Sequence, residues 1–239
     1  SVASALVSPP AAAADEMDLA LSRLRIEDPM SPGSFSPDQD AYRRLIAQLG
    51  FAVAPTVLTP ARTNGTRGFY VGFETSVVGI TENSASDFWR NGTEGDDMSD
   101  YATGNRFLQN HYYLSRLMIR KGLPFGFELG LNAGHAYNTD LWIWGAEIKI
   151  ALLEGFREGI PAFLPDIAVR AAVSTVTGDD EYSLTVPSFD LIVSKRLVAG
   201  GSVMITPIVG AQLQWTLADG EFVVNPDAAG EQRRVDVGR

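Results

Sequence analysis

Residues 125–138 read FGFELGLNAGHAYN, and the alternation in this stretch decides the fold. Phe125, Phe127, Leu129, Leu131, Ala133, His135 and Tyr137 fall on one side of a period of two. Gly126, Glu128, Gly130, Asn132, Gly134, Ala136 and Asn138 fall on the other. A helix would mix the two sets, whereas a strand sends them to opposite faces. The stretch is predicted as a long β-strand with one bulky apolar face and one face of small and polar residues.

The same pattern recurs on both sides. In residues 68–80, Phe69, Val71, Phe73, Thr75 and Val77 alternate with Tyr70, Gly72, Glu74, Ser76 and Val78. In residues 141–153, Trp142, Trp144, Ile148, Ile150 and Leu152 oppose Glu147 and Lys149. In residues 203–215, Val203, Ile205, Val209, Leu213 and Trp215 oppose Thr206, Gly210, Gln212 and Gln214. Weaker runs at 111–121, 167–178 and 182–195 bring the strands visible to seven. Several are about twice the five or six residues usual in a soluble sheet, a length suited to oblique crossing of a bilayer. Their polar face is mostly Gly, Asn, Ser and Thr, where a soluble sheet would show water a Lys- and Glu-rich surface.

These features predict an all-β fold, an antiparallel up-and-down transmembrane β-barrel occupying residues 67–239, with apolar side chains toward lipid. Bacterial barrels have an even strand number, so eight or more strands are expected in the complete chain, with at least one lying beyond Arg239. Residues 122–124 are expected to form a tight periplasmic turn, and residues 81–110 and 218–235 long connections. A short loop at 138–140 and a longer one at 154–166 fit this scheme less well.

Composition agrees with this architecture and removes other classes. Hydrophobic residues make up 45% of the chain and mean hydropathy is +0.01, with no apolar run long enough for a membrane helix. Alternating strands leave hydropathy near zero, so the value is compatible with a barrel. A net charge of −10 without a basic stripe disfavours nucleic acid. The absence of cysteine removes disulfides, thiolate metal sites and cysteine nucleophiles.

Ahead of the barrel, residues 1–14 are small and apolar, with Ala12 and Ala14 suited to an A-x-A cleavage site, and are expected to be a signal-peptide remnant. Residues 15–66 are expected to form a periplasmic segment carrying an amphipathic helix at 37–49. Ser36 is its expected N-cap, Pro37 its first residue, Gln39 the partner in a capping box and Gly50 its terminator. Ala41, Leu45, Ile46 and Leu49 share one face that must dock, either as a cap beneath the barrel or as a plug in its lumen.

The parity of the strands places Arg116, Arg120, Glu128, Asn132, Glu147, Lys149, Arg170 and Asp190 toward the lumen. A tight turn at 122–124 allows Arg120 opposite Glu128 and Arg116 opposite Asn132. A two-residue turn at Thr139 and Asp140 then sets Asn132 opposite Glu147 and Gly130 opposite Lys149. A network among these charges is expected, because unpaired charges in a tight interior cost several kcal/mol each. Phe125, Phe127, Tyr137, Trp142, Trp144 and Trp215 are the expected aromatic girdles at the two membrane interfaces.

Signatures of catalysis are weak. His111 and His135 are the only histidines and lack metal-ligand spacing. A Ser-His lipase on the barrel wall has no supporting motif. The acidic residues Glu94, Asp96, Asp97 and Asp100 follow no calcium-loop pattern. No catalytic residue, cofactor or metal is expected.

Residues 49–75, with the runs 58–62 and 68–74, and the hairpin RKGLPFGFELG at 120–130 resemble a little-characterised group of Gram-negative outer-membrane β-barrel proteins. The resemblance covers most of the chain from Asp15 and implies a barrel fold and an outer-membrane location. It supplies no catalytic residues. One departure is the C-terminal sequence VDVGR, where such barrels end in a strand with a terminal aromatic. The expected role is non-enzymatic, structural or as a small-solute channel, with outer-membrane lipids and other envelope proteins as partners. The alternatives are an envelope interaction module, binding through outer loops or the helix, and a soluble lipocalin-like barrel.

Overall fold

In the computed structural model of the protein, the described residues are 15–56, 59–80, 88–96, 99, 103–154, 164–178, 182–199, 203–226 and 232–237; the last two strands are described from residue 221 as backbone. The expected signal remnant at 1–14, acidic residues Asp97 and Asp100, and most of the 154–166 connection lie outside the described residues.

The chain is mostly antiparallel β, organised around one curled, half-barrel sheet. Two short strands, β1 (Arg25–Glu27) and β2 (Phe35–Pro37), form a separate hairpin before helix α1 (Gln39–Val53). The sheet is then built from β3 (Phe69–Gly79), β4 (His111–Gly122), β5 (Phe127–Ala136), β6 (Trp142–Leu153), β7 (Asp166–Thr177) and β8 (Tyr182–Ser194). Each pairs antiparallel with the next, and a one-turn helix α2 (Phe88–Asn91) interrupts the β3–β4 connection. The remaining strands are β9 (Leu197–Ala199), β10 (Val203–Ile205), β11 (Ile208–Gln214), β12 (Leu217–Pro226) and β13 (Gln232–Val237).

All seven expected runs carry strands, but the last is divided. β10 pairs with β9, while β11 pairs with β8, because the chain between them contains Pro207, which has no N–H to donate. The register is nonetheless continuous: Lys195 N–H donates to the Pro207 carbonyl at 3.2 Å, linking the two ladders. β11 and β12 likewise lie on one rail along β8. Their ladder is interrupted opposite Pro187, whose carbonyl accepts from Trp215 N–H at 3.0 Å. β12 returns through β13, so the expected connection at 218–235 is largely a hairpin. With β11 and β12 counted as one, the described sheet has eight rails in the order β13, β12/β11, β8, β7, β6, β5, β4, β3.

The expected registers are each displaced by two residues, which preserves their parity. The β4–β5 turn spans more than residues 122–124: Leu123 N–H donates to the Phe127 carbonyl and Phe125 adopts φ 63°, which places Arg120 opposite Gly130 and Arg116 opposite Gly134. The β5–β6 turn is centred one residue earlier than expected, with Asn138 in the left-handed region at φ 57°. Glu128 consequently faces Lys149, Gly130 faces Glu147, and Asn132 faces Gly145. Asn tolerates that conformation better than most residues, through local hydrogen bonding of its short amide.

Helix α1 is also shifted from its expected bounds. Asp38, not Ser36, is the N-cap: its carboxylate accepts from Ala41 N–H at 2.9 Å, and Pro37 belongs to β2. Gly50 lies inside the helix, where an added Cβ would collide with the Thr216 side chain, so it is a close-packing residue and not a terminator. The helix ends at Val53, with Ala54 extended ahead of Pro55, as the ring of a following proline requires. Tyr42, Leu45, Ile46, Leu49, Ala52 and Val53 are buried, while Ala41 is half-buried.

Candidate functional site

The two faces of the sheet have opposite chemistry. Leu129, Leu131 and Trp144 are exposed, Leu131 at 66%, whereas Glu128 and Lys149 are buried at 2% and 3%. Leu117, Ile119, Ile148, Phe189 and Leu191 also stand on the exposed face. The other face carries the N-terminal segment, joined at one end by α2 of the β3–β4 connection.

One half of this interior is apolar. Leu45 and Leu49 of α1 join Leu114, Ile143, Leu184 and Val186 of the wall, all completely buried, in a core that also takes in Met17, Leu21 and Trp89. Trp89 donates its indole N–H to Gln48 Oε1 at 2.7 Å, tying α2 to α1. At this end Asp18 accepts from the backbone N–H groups of Asp140 and Asp15, yet burial raises its carboxyl above the ordinary range. Burial raises Glu94 too, helped by the charge of Asp18, and pushes the Tyr42 phenol up to about 12.

The other half is charged. Arg120 pairs with Glu147, which pairs with Arg170 at 3.0 Å, which pairs with Asp190 at 2.7 Å, making a chain across β4, β6, β7 and β8. The chain skips β5 because Gly130 stands there: an added Cβ would overlap the Glu147 carboxylate. Lys149 pairs with Glu128 at 2.7 Å as a second unit.

Arg116 does not lie opposite Asn132, nor Asn132 opposite Glu147, contrary to the sequence expectation. Arg116 reaches past α1 to donate to the carbonyls of Ala54 and Ala52 at 2.8 and 3.2 Å, satisfying the end of the helix. Its neighbours hold the irregular strap that follows α1. Lys149 Nζ donates to the Pro60 and Arg62 carbonyls, and Glu128 accepts from the backbone and side-chain nitrogens of Asn64 at 2.8 and 2.7 Å. Glu154 accepts from Thr63 N–H and Oγ1, Ser194 Oγ accepts from Ala61 N–H, and Gln212 donates to the Pro55 carbonyl. Glu74 accepts from Thr56, and Asp166 pairs with Arg62 at 3.4 Å. Sequence reading missed this clamp. Glu74 and Gln212 had the inward parity, but their partner is strap backbone, which has no side-chain signature.

The aromatic residues separate into groups. Tyr137 and Trp142 flank His135, whose ring lies 4.9 Å from that of Trp142, and Trp144 stacks on Trp142. Phe125 and Phe127 sit at the opposite strand ends, and Phe125 is 87% exposed. Trp215 stands at the break between β11 and β12, opposite Pro187, apart from both groups. Ser115 lies directly across from His135, but its hydroxyl is within hydrogen-bond distance of Thr75 and Tyr137. Among the described residues no three His, Asp or Glu side chains are grouped as a metal site.

No family model, curated protein or solved structure matches the chain.

Proposed function

We propose that the chain is a non-enzymatic outer-membrane β-barrel protein of a Gram-negative envelope, with a lumen occupied by its own N-terminal segment and a structural, anchoring role. The observation that carries this reading is the inverted sheet: a continuous apolar face outward, and paired charges inward. A soluble lipocalin-like barrel would turn its apolar face inward, so the burial speaks against that alternative.

A shallow groove of about 440 Å³ between Ile119, Leu131, Trp144 and Val173 lies on the exposed apolar face and suits an acyl chain.

Occlusion, and not constant passage, follows from α1. Burial of Tyr42, Leu45, Ile46, Leu49 and Val53 is worth on the order of 10 kcal/mol, so the helix is a resident part of the fold. Reconstitution into liposomes and planar bilayers tests both parts. The protein should float with the vesicles and resist alkaline extraction, while showing no stepwise current. Release into the aqueous phase would overturn the membrane assignment, and steady conductance would overturn the occluded lumen.

A further inference from the structure

The N-terminal segment meets the sheet at one end and leaves it at the other. Met17 N–H donates to the Asn138 carbonyl at 3.0 Å, and Asp18 accepts from Asp140 N–H at 2.8 Å, so the segment starts against the β5–β6 turn. The β3–β4 connection lies at the same end: Ala20 N–H donates to the Gly92 carbonyl, and Glu94 N–H to the Asp18 carbonyl. Leu21 and Tyr42 both stand against Gly220, which is paired with Tyr182 at the start of β8. The β1–β2 hairpin falls between these two residues in the chain, β2 touches β12, and Met30 in the hairpin loop is 91% exposed.

From there the chain descends the inner face. The 15 residues of α1, at about 1.5 Å each, carry it about 22 Å. Gly50 packs against Thr216 on the way, and the Ala54 and Pro55 carbonyls meet Arg116 and Gln212. The strap completes the passage. Ala61, Thr63 and Asn64 are held by Ser194, Glu154 and Glu128, at the far ends of β8, β6 and β5. Gly122 N–H then donates to the Gly68 carbonyl at 3.2 Å, beside the β4–β5 turn. Arg67, which is exposed, therefore lies at the opposite end of the sheet from Met30.

In a membrane-spanning barrel these ends face different compartments. Outer-membrane barrels carry their long connections outside and their tight turns in the periplasm. The longest connection of the sheet, residues 80–110 between β3 and β4, is at the Met30 end, and the tight β4–β5 turn is at the Arg67 end.

We propose that the N-terminal segment threads the lumen from its outer end to its periplasmic end, so that the β1–β2 hairpin is displayed on the cell surface beside the β3–β4 connection. The inference rests on the outer-membrane reading above and reverses the expected periplasmic placement for residues 15–38. Partners outside the cell would meet the hairpin and α2. The segment turns only residues 64–67 toward the periplasm, and the buried face of α1 is closed to both sides.

The chain has no cysteine, so single-cysteine variants report each end of the segment separately. Met30→Cys and Arg67→Cys, in the full chain and produced in Gram-negative cells, are treated with a membrane-impermeant maleimide. Met30→Cys should label on intact cells, and Arg67→Cys only after the outer membrane is permeabilised. Equal labelling of the two on intact cells, or labelling of Arg67→Cys alone, would overturn the threading. Ser31→Cys and Phe125→Cys, also at exposed positions of the two ends, repeat the reading should either variant fail to fold. Release of the protein from the membrane fraction by alkaline extraction would instead bring down the outer-membrane reading, and the threading with it.

Discussion

The two halves of the sheet's inner face are made from the same strands and grip the same N-terminal segment, yet by different physics. Along β4 the inward face passes from Leu114 to Arg120, along β6 from Ile143 to Lys149, along β7 from Val176 to Arg170, and along β8 from Leu184 to Asp190. The apolar half faces α1, and the charged half faces the strap. A helix satisfies nearly all its own backbone groups, so a wall that meets it need only bury side chains. The strap has no ladder of its own, and each buried N–H and C=O must find a partner elsewhere. Lys149, Glu128, Glu154, Ser194 and Gln212 supply those partners, and Arg116 serves the junction where the helix ends. Backbone regularity in the N-terminal segment thus dictates side-chain chemistry in the wall.

The charged half is most vulnerable at Glu147, which serves two arginines. Glu147→Leu should cost about 3–5 kcal/mol, measured by denaturant unfolding, because Arg120 and Arg170 both lose a buried partner. A loss below about 1 kcal/mol would mean the charged half is solvated. In the apolar half, Leu49→Ala should cost about 2–5 kcal/mol through the cavity it leaves, with little dependence on salt.

A milder change sharpens the distinction between helix and strap. Glu128→Gln should lower stability by about 1–3 kcal/mol, because Lys149 loses its counter-charge while the bonds to Asn64 weaken. Limited proteolysis should then cut within residues 55–66 while α1 stays protected. Simultaneous cutting of the helix would join the two regions into one unit. Asp38→Ala removes the N-cap and should cost about 1 kcal/mol, visible as faster amide exchange at Ala41.

The smallest effect concerns pH at the apolar end. Burial holds Asp18 and Glu94 above their ordinary carboxyl range, so the folded state favours their protonated forms more than the unfolded state does. Their contribution to stability is therefore present at low pH and lost as pH rises through the raised values. After correction for intrinsic exchange, protection of the Glu94 and Gly95 amides, which bond to Asp18 and Glu16, should increase as pH falls from neutral toward the ordinary carboxylate range. Decreasing protection would contradict this sign.

Much of the charged half was legible in the sequence because strand parity alone decides which face a residue takes. Arg120, Glu128, Glu147, Lys149, Arg170 and Asp190 have inward parity however a hairpin slips by two. Which of them touch depends on turn geometry, and Phe125 and Asn138 in left-handed conformations moved both registers by two residues. Asn132 consequently faces Gly145, and Arg116 found the end of α1. The division of residues 203–215 was foreshadowed by Pro207, but the continuous rail beyond it depends on pairing with β8, a long-range relation. The strap was least legible, since its role is performed by backbone atoms that every sequence shares.

The outward apolar face is the claim on which the membrane role depends. A nitroxide scan through residues 127–136 in reconstituted bilayers tests it directly. Labels at 127, 129, 131 and 133 should collide freely with oxygen and be shielded from a water-soluble relaxation agent, while labels at 128, 130, 132 and 134 should be immobilised and reached by neither. Labels at 129 and 131 relaxed by the aqueous agent would contradict it.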